Sequence, residues 1–360
     1  MKKRLKKLYI YGELSYRFAH QTQAFKNRYK NINRKLFEKN VDKKLIKKYK
    51  RKWGNISPFV ETETLELCHN ISNRIDLNII PENIFAAIVE PLLNPYKDKQ
   101  LSFLSVKNIY SKWFNNPEIF PSTYFHKVDN IYYDANFNVI DDLNIFLADS
   151  LNKLKFPLIC KPSIGTSGGE GVKVLYNLES IKENIDSYPN LVFQELIIQS
   201  DLLQDIYPSM NSIRTCLYRT KSGRFKVINN SIRFGVNGSL DNETAGGIVC
   251  NIESNGVLND YAVSKYCEKY FRHPNTEVEF SEVTIPNYDE LFICAENIAN
   301  QIPLCNLVSL DMCLDNEGNW RCLEINLDAQ TIRFRQYAGY AFFGEYTDEV
   351  IERVLETKIN

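Results

Sequence analysis

The feature that most limits how this chain can fold is a pair of apolar segments near residue 310, joined by five turn-forming residues. Leu307-Val-Ser-Leu-Asp-Met-Cys-Leu314 and Cys322-Leu-Glu-Ile-Asn326 are apolar enough to be buried strands. Asp315-Asn-Glu-Gly-Asn319 between them has the composition of a hairpin turn. A hairpin returns its second strand beside its first, so Asp311 faces Glu324 and Asn326 across the pair. Alternation puts Glu324 and Asn326 on one face of their strand. Two carboxylates and an amide oxygen converging on one point form a hard-oxygen site, suited to Mg²⁺ carrying a nucleotide phosphate. The alternative is a solvated sheet face with stray acids.

A second segment favours the metal reading. Phe156-Pro-Leu-Ile-Cys-Lys-Pro-Ser-Ile-Gly-Thr-Ser-Gly-Gly-Glu-Gly-Val172 reads as a strand, a lysine, a glycine-rich loop and a second strand. Its glycines let the backbone approach a ligand closely, and successive N–H groups there can form an anion-binding concavity. Ser163, Thr166 and Ser167 add donors, and Lys161 reaches a phosphate as a point charge. No helix follows the loop and no Gly-Lys-Ser/Thr occurs, so it is neither a P-loop nor a dinucleotide fingerprint.

Taken in this order, the two segments resemble the ATP-grasp superfamily. The spacing from Asp311 to Glu324-x-Asn326 resembles that of D-alanine–D-alanine ligases. Within the superfamily, Asn211-Ser-Ile-Arg214, Arg233-Phe-Gly and Asp241-Asn242-Glu-Thr-Ala-Gly-Gly247 are similar to the sugar-transfer-associated group, found with surface-polysaccharide biosynthesis. The resemblance spans roughly residues 100 to 345. It implies an α+β ATP-grasp fold, with a nucleotide clamped between two sheets. It implies ATP and two Mg²⁺ ions, the metal held by Asp311, Glu324 and Asn326. Lys107, Lys161, Ser167, Gly168 and Gly169 would contact the nucleotide phosphates. The backbone around Glu195, Leu196 and Ile197 would read adenine, and Asp201 the ribose. Lys107 is equally readable as a solvated helix lysine.

The implied chemistry is ATP-dependent carboxylate–amine ligation through an acyl phosphate, joining an amine or amino acid to a sugar acid. Arg214, Arg233 and Asn242 are the candidate catalytic residues. One departure stands out: D-alanine–D-alanine ligases carry an arginine two residues before the first metal aspartate, and here that position is Ser309. Either oxyanion stabilisation then moves to Arg233, or the chemistry differs. Arg333 and Arg335 alternate along their segment and either bind an acidic substrate or pair with acids. The alternatives on the same fold are a kinase acting on a sugar or polyol, and a nucleotide-binding scaffold that docks a membrane glycosyltransferase.

The 360 residues carry no net charge, but the charge is segregated. Residues 1–52 hold nineteen Lys or Arg against Glu13, Glu38 and Asp42, and the remainder is correspondingly acidic. Val41, Leu45, Tyr49 and Trp53 recur every four residues among lysines, the pattern of a basic amphipathic helix. Its apolar stripe either packs on the rest of the chain or lies on an anionic bilayer. No nucleic-acid reader motif is present. Nine cysteines without a Cys-x-x-Cys pair read as core residues in a reducing compartment. No apolar stretch follows the N-terminal lysines, so the expected location is the cytoplasm, with contact to the inner membrane face through the basic region. The expected organisation is a helical basic region over 1–105, the start of the ATP-grasp core over 106–155, a glycine-loop subdomain over 156–198 and a metal- and substrate-binding part over 199–360.

Overall fold

The computed structural model describes residues 2–165, 169–239 and 241–359. Its strands form two antiparallel sheets. The smaller contains β1 (Thr123–Val128), β2 (Ile131–Asp134), β3 (Leu158–Pro162), β4 (Lys173–Leu175) and β5 (Leu191–Glu195), in the order β2-β1-β5-β3-β4. β3 and β4 flank the glycine loop, as their composition suggests. β1 and β2 turn on Asp129 and Asn130, at φ 49° and 65°. That pair of positive φ values is what a two-residue hairpin demands, and short polar side chains tolerate it. The helix Leu178–Asn184 covers one face of this sheet, burying Ile181 against Leu158, Leu191 and Phe193.

The larger sheet contains β6 (Ile213–Arg219), β7 (Phe225–Phe234), β8 (Ile248–Ile252), β9 (Leu258–Val263), β10 (Lys269–Tyr270), β11 (Leu307–Leu314) and β12 (Trp320–Asn326). Their order is β10-β9-β8-β7-β6-β11-β12. One face is covered by the helix Tyr288–Asn300, whose Leu291, Ala295 and Ile298 pack with Ile213, Leu217, Val308 and Leu310. The β11–β12 hairpin forms on the expected turn. Asp315 Oδ1 accepts from the Glu317 and Asn319 N–H groups at 3.0 and 2.8 Å, and Gly318 takes φ 84°.

The opposite face of the larger sheet is divided between two tasks. Alternation puts Leu307, Ser309 and Asp311 of β11 on this face, beside Arg214, Cys216 and Tyr218 of β6. At one end Leu307, Cys216 and Tyr218 are buried with residues of the N-terminal helices. At the other end Arg214 and Asp311 line a cleft toward the smaller sheet. The N-terminal region comprises α1 (Lys2–Tyr29), α2 (Lys43–Gly54), α3 (Glu63–Ser72) and further short helices up to residue 93. Asp42 caps α2 by accepting from the Lys44 N–H at 2.8 Å. The stripe read from the sequence is buried: Tyr49 and Trp53 are fully enclosed and Val41 nearly so. α2 therefore covers a core, as most amphipathic helices do. Beyond it, Asn94 ties this region to the site hairpin. Its amide donates to the carbonyls of Leu307 and Leu327 at 2.5 and 2.8 Å, and its oxygen accepts from the Asn306 and Leu307 N–H groups.

Trp53→Ala is expected to remove about 3–5 kcal/mol of stability by opening a cavity in this shared core. Denaturant unfolding followed by fluorescence or circular dichroism checks it; a loss under about 1 kcal/mol would mean that the N-terminal helices are only loosely attached.

Candidate functional site

A cleft of ≈ 830 Å³ separates the two sheets and collects most of the residues singled out by sequence. From the smaller sheet come Ile159 and Lys161 of β3, Gly165 and Gly169 of the loop, and Gln194 to Ile197 at the end of β5. Arg214, Arg233, Asp241, Asn242, Asp311, Glu324 and Asn326 come from the larger sheet and its loops. Thr166, Ser167 and Gly168 lie outside the described residues. Asp201 begins the helix Asp201–Ile206 and is exposed, away from the cleft wall.

Register explains why these side chains meet. Asp311 pairs directly with Glu324 on β12 and with Arg214 on β6, while Ser309 pairs with Asn326. Asp311 is almost fully buried and lies between two guanidinium groups. Arg214 Nε stands 2.6 Å from its Oδ1, and Arg233 Nη2 stands 3.1 Å from its Oδ2. Burial alone would push the Asp311 carboxyl up, but the two arginines hold it below the usual range. Arg233 also donates to the Ser212 hydroxyl, and Ser212 in turn donates from its N–H and hydroxyl to Asp241 Oδ2. Asp241 opens a turn closed at Gly247, where an added Cβ would stand 2.7 Å from the Phe234 carbonyl oxygen.

Glu324 is paired with Lys107, Nζ to Oε1 at 2.9 Å. Lys107 is thus not a solvated helix lysine; its segment is fastened to the smaller sheet. The Lys107 N–H donates to Ser163 O at 3.1 Å, and Asn108 lies 2.8 Å from His126 Nδ1 of β1. Burial holds His126 neutral, with a pKa of about 4. Lys161 lies close enough to Lys107 for the two charges to interact. Burial, then the charge of Lys107, lowers Lys161 to about 8. The cleft thus brings Lys107, Lys161, Arg214 and Arg233 together with Asp241, Asp311 and Glu324, and its wall also carries Lys97, Asp98, Glu170, Glu195 and Asp328.

Several contributors escape sequence reasoning. Arg321 on β12 joins the Glu195 carboxylate, which also accepts from the Ser122 N–H at 2.9 Å. The Arg321 and Ser122 contacts hold Glu195 below its usual pKa against the effect of burial. This contact clasps the end of β5 to the larger sheet. Ser309 lies on the cleft side of β11 but is roofed by Gln330, to whose Oε1 it donates. Gln330 also donates to Asn326 O at 2.9 Å. The cation expected near position 309 is supplied from neighbouring strands, by Arg214 and Arg233. The alternation proposed for Arg333 and Arg335 does not occur, because Arg333–Gln336 is a helical turn. Arg333 grips Glu243 through two contacts, at 3.1 and 2.7 Å, and Arg335 donates to Asn251 Oδ1 at 3.0 Å. Both are committed to structure.

The donor set at Asp311, Glu324 and Asn326 fits Mg²⁺. All three line one cleft, their donors are oxygens, and the buried Asn326 amide nitrogen has no hydrogen-bond partner. The described residues contain no cluster of three or more His, Cys, Asp or Glu that suits a metal.

These two sheets with a cleft between them are the ATP-grasp architecture. The chain belongs to the sugar-transfer associated ATP-grasp family, whose pattern matches residues 120–347. No curated protein matches it. Solved structures similar to it include the following. One is an N5-carboxyaminoimidazole synthase from Aspergillus clavatus in complex with ADP and 5-aminoimidazole ribonucleotide (10% identity, 71% of this chain and 52% of that one, TM-score 0.42). Another is the biotin carboxylase domain of the 2-oxoglutarate carboxylase of Hydrogenobacter thermophilus, in complex with MgADP, ADP and bicarbonate (11%, 73% and 47%, TM-score 0.41). A third is the ATP-grasp ligase PsnB complexed with a minimal precursor (15%, 72% and 64%, TM-score 0.40). The match spans about half the length of the first two.

Removing both guanidinium groups, as Arg214→Leu with Arg233→Leu, leaves a buried charge without a partner. The double variant is expected to lose about 3–5 kcal/mol, and Asp311→Asn added to it should recover much of that loss. Urea unfolding of the three proteins decides; equal stability of the double and triple variants would contradict the charge-pairing account.

Proposed function

We propose that the chain is an ATP-dependent ligase that activates a carboxylate as an acyl phosphate and passes it to an amine. The observation that carries this reading is the buried Asp311, opposite Glu324 and between Arg214 and Arg233, in a cleft that also holds Lys161. Lys161 and the glycine loop hold the phosphates, and the β5 end from Glu195 to Ile197 takes the base. Asp311, Glu324 and Asn326 would hold Mg²⁺, which supplies charge neutralisation at the phosphate oxygens. A carboxylate oxygen attacks the γ-phosphorus, ADP leaves, and Arg233 faces the charge that develops on the transferred group and on the later tetrahedral carbon. The amine then displaces phosphate, giving an amide. The acceptor class we favour is a sugar acid in surface-polysaccharide assembly, on the strength of the family.

One observation favours the kinase reading. Asp241 lines the cleft beside Arg233, 3.7 Å from it, and offers a carboxylate that an attacking hydroxyl would need as a base. Phosphate release separates the two. With Mg-ATP, pooled sugar acids and pooled amino acids, the ligase releases phosphate only when both pools are present, and its product is lighter than the two reactants by one water. A product heavier by a phosphoryl group, without free phosphate, establishes the kinase.

Asp311→Asn and Glu324→Gln are each expected to lower ADP formation by at least about 10²-fold. A steady-state assay that finds full turnover in either variant removes these residues from the metal site.

Nucleotide affinity is expected to fall as pH rises through about 8, because Lys161 loses its charge there. Bound phosphate favours the protonated lysine, so binding above pH 8 takes up a proton. Titrations between pH 7 and 9 should show a decline of up to about tenfold per unit above 8. Lys161→Arg should flatten the profile, and a profile unchanged by that substitution would place the titrating group elsewhere.

A further inference from the structure

α2 buries one face and leaves the other strongly charged. Lys43, Lys44, Lys47, Lys48, Lys50 and Arg51 are all exposed. Helical spacing arranges them in two adjoining rows, 43-47-50 and 44-48-51, opposite the buried Tyr49 and Trp53. The segment between residues 30 and 39 adds four more exposed Lys or Arg. Acids are few here. Asp42 is occupied in capping α2, and Glu38 is the other acid between residues 30 and 52. Of the α2 cations, the ion pair given by the structure is that of Lys52 with Asp348, at 2.6 Å, and Lys52 lies outside both rows.

A helix that only covered a core would not need a wholly cationic outer face in a chain whose remaining residues are acidic. We propose that this face of α2, with the 30–39 segment, docks the protein on an anionic lipid bilayer. Charge complementarity names the partner, and the shape of the surface narrows it. The rows run along about 12 Å of the helix, an arrangement that meets a plane of headgroups. The aromatic side chains of α2 are turned inward, so the face offers no platform for stacking bases. Five residues past the helix end, Phe59 is 70% exposed, with its ring 6.2 Å from that of Phe18 on α1. Among the described residues no helix is long and apolar enough to cross a membrane, so the contact is made at the surface. The inference is independent of the ligase reading.

The test is co-sedimentation of the full chain with vesicles of phosphatidylcholine alone, and with about 30 mol% phosphatidylserine added. Binding is expected only to the anionic vesicles, and it should be abolished near 0.5 M salt, where the Debye length shrinks to a few ångströms. Lys43→Gln, Lys47→Gln and Lys50→Gln together should weaken it on the order of 100-fold, at about fivefold per cation. These residues are exposed, so the unfolding midpoint of the triple variant should match the parent. No binding, equal binding to neutral vesicles, or full binding by a folded triple variant would overturn the proposal. Tighter binding to duplex DNA or single-stranded RNA than to the anionic vesicles, at the same salt, would also overturn it and assign the face to nucleic acid.

Discussion

A buried carboxylate with two guanidinium partners is the constraint on which the rest of this structure depends. Asp311 can be charged inside the fold only while Arg214 and Arg233 stay within ion-pair distance. Those arginines belong to β6 and β7, so a slip in the register of either strand would strand a charge away from water. The pairing of β12 on the other side of β11 sets Glu324 opposite Asp311 and Ser309 opposite Asn326. The alignment that keeps the core electrically tolerable therefore also assembles part of the site. Ser212 and Asp241 extend it, since Arg233 is steered by the Ser212 hydroxyl and Ser212 by Asp241.

The N-terminal helices are part of this arrangement rather than an appendage. They cover the end of the sheet face whose other end is the cleft, and Leu307 and Asp311 of β11 divide the two tasks between them. Asn94 fixes both β11 and the chain after β12, and Glu90 accepts from the Gln330 N–H at 2.7 Å just beside the cleft. Arg321 of β12 reaches Glu195 at the end of β5, and Lys107, on a short helix held to Ser163, reaches Glu324 of β12. Both replace bulk water with opposite charge, and the local dielectric strengthens each pair.

What the sequence revealed follows from local physics. The β11–β12 hairpin was legible because its turn residues and its alternation agree. The lysine and glycine loop were legible because few other residue patterns expose so many N–H groups. The buried stripe of α2 showed its periodicity. The β1–β2 hairpin was missed, although Asp129-Asn130 is a pair that tolerates positive φ. β8 and β9 were also missed, since Asn251, Asn259 and Asp260 break their apolar pattern. Arg214 and Arg233 were seen as cleft residues, but their hold on Asp311 depends on cross-strand register, which no single strand encodes. The clasp of Arg321 on Glu195 spans 126 residues and has no local signal. Arg333 was read as part of an alternating segment because nothing nearby announces a single helical turn.

The account has one central chemical claim, that a carboxylate is activated by phosphoryl transfer in the cleft floored by Asp311 and Glu324. The most direct measurement follows oxygen. Supply Mg-ATP, amino acids and sugar acids whose carboxylates carry heavy oxygen, and weigh the phosphate released. An acyl phosphate breaks at the carbon, so one labelled oxygen should leave with each phosphate formed. Phosphate free of label, formed alongside product, would mean that the carboxylate never received the phosphoryl group, and the ligase account would fail.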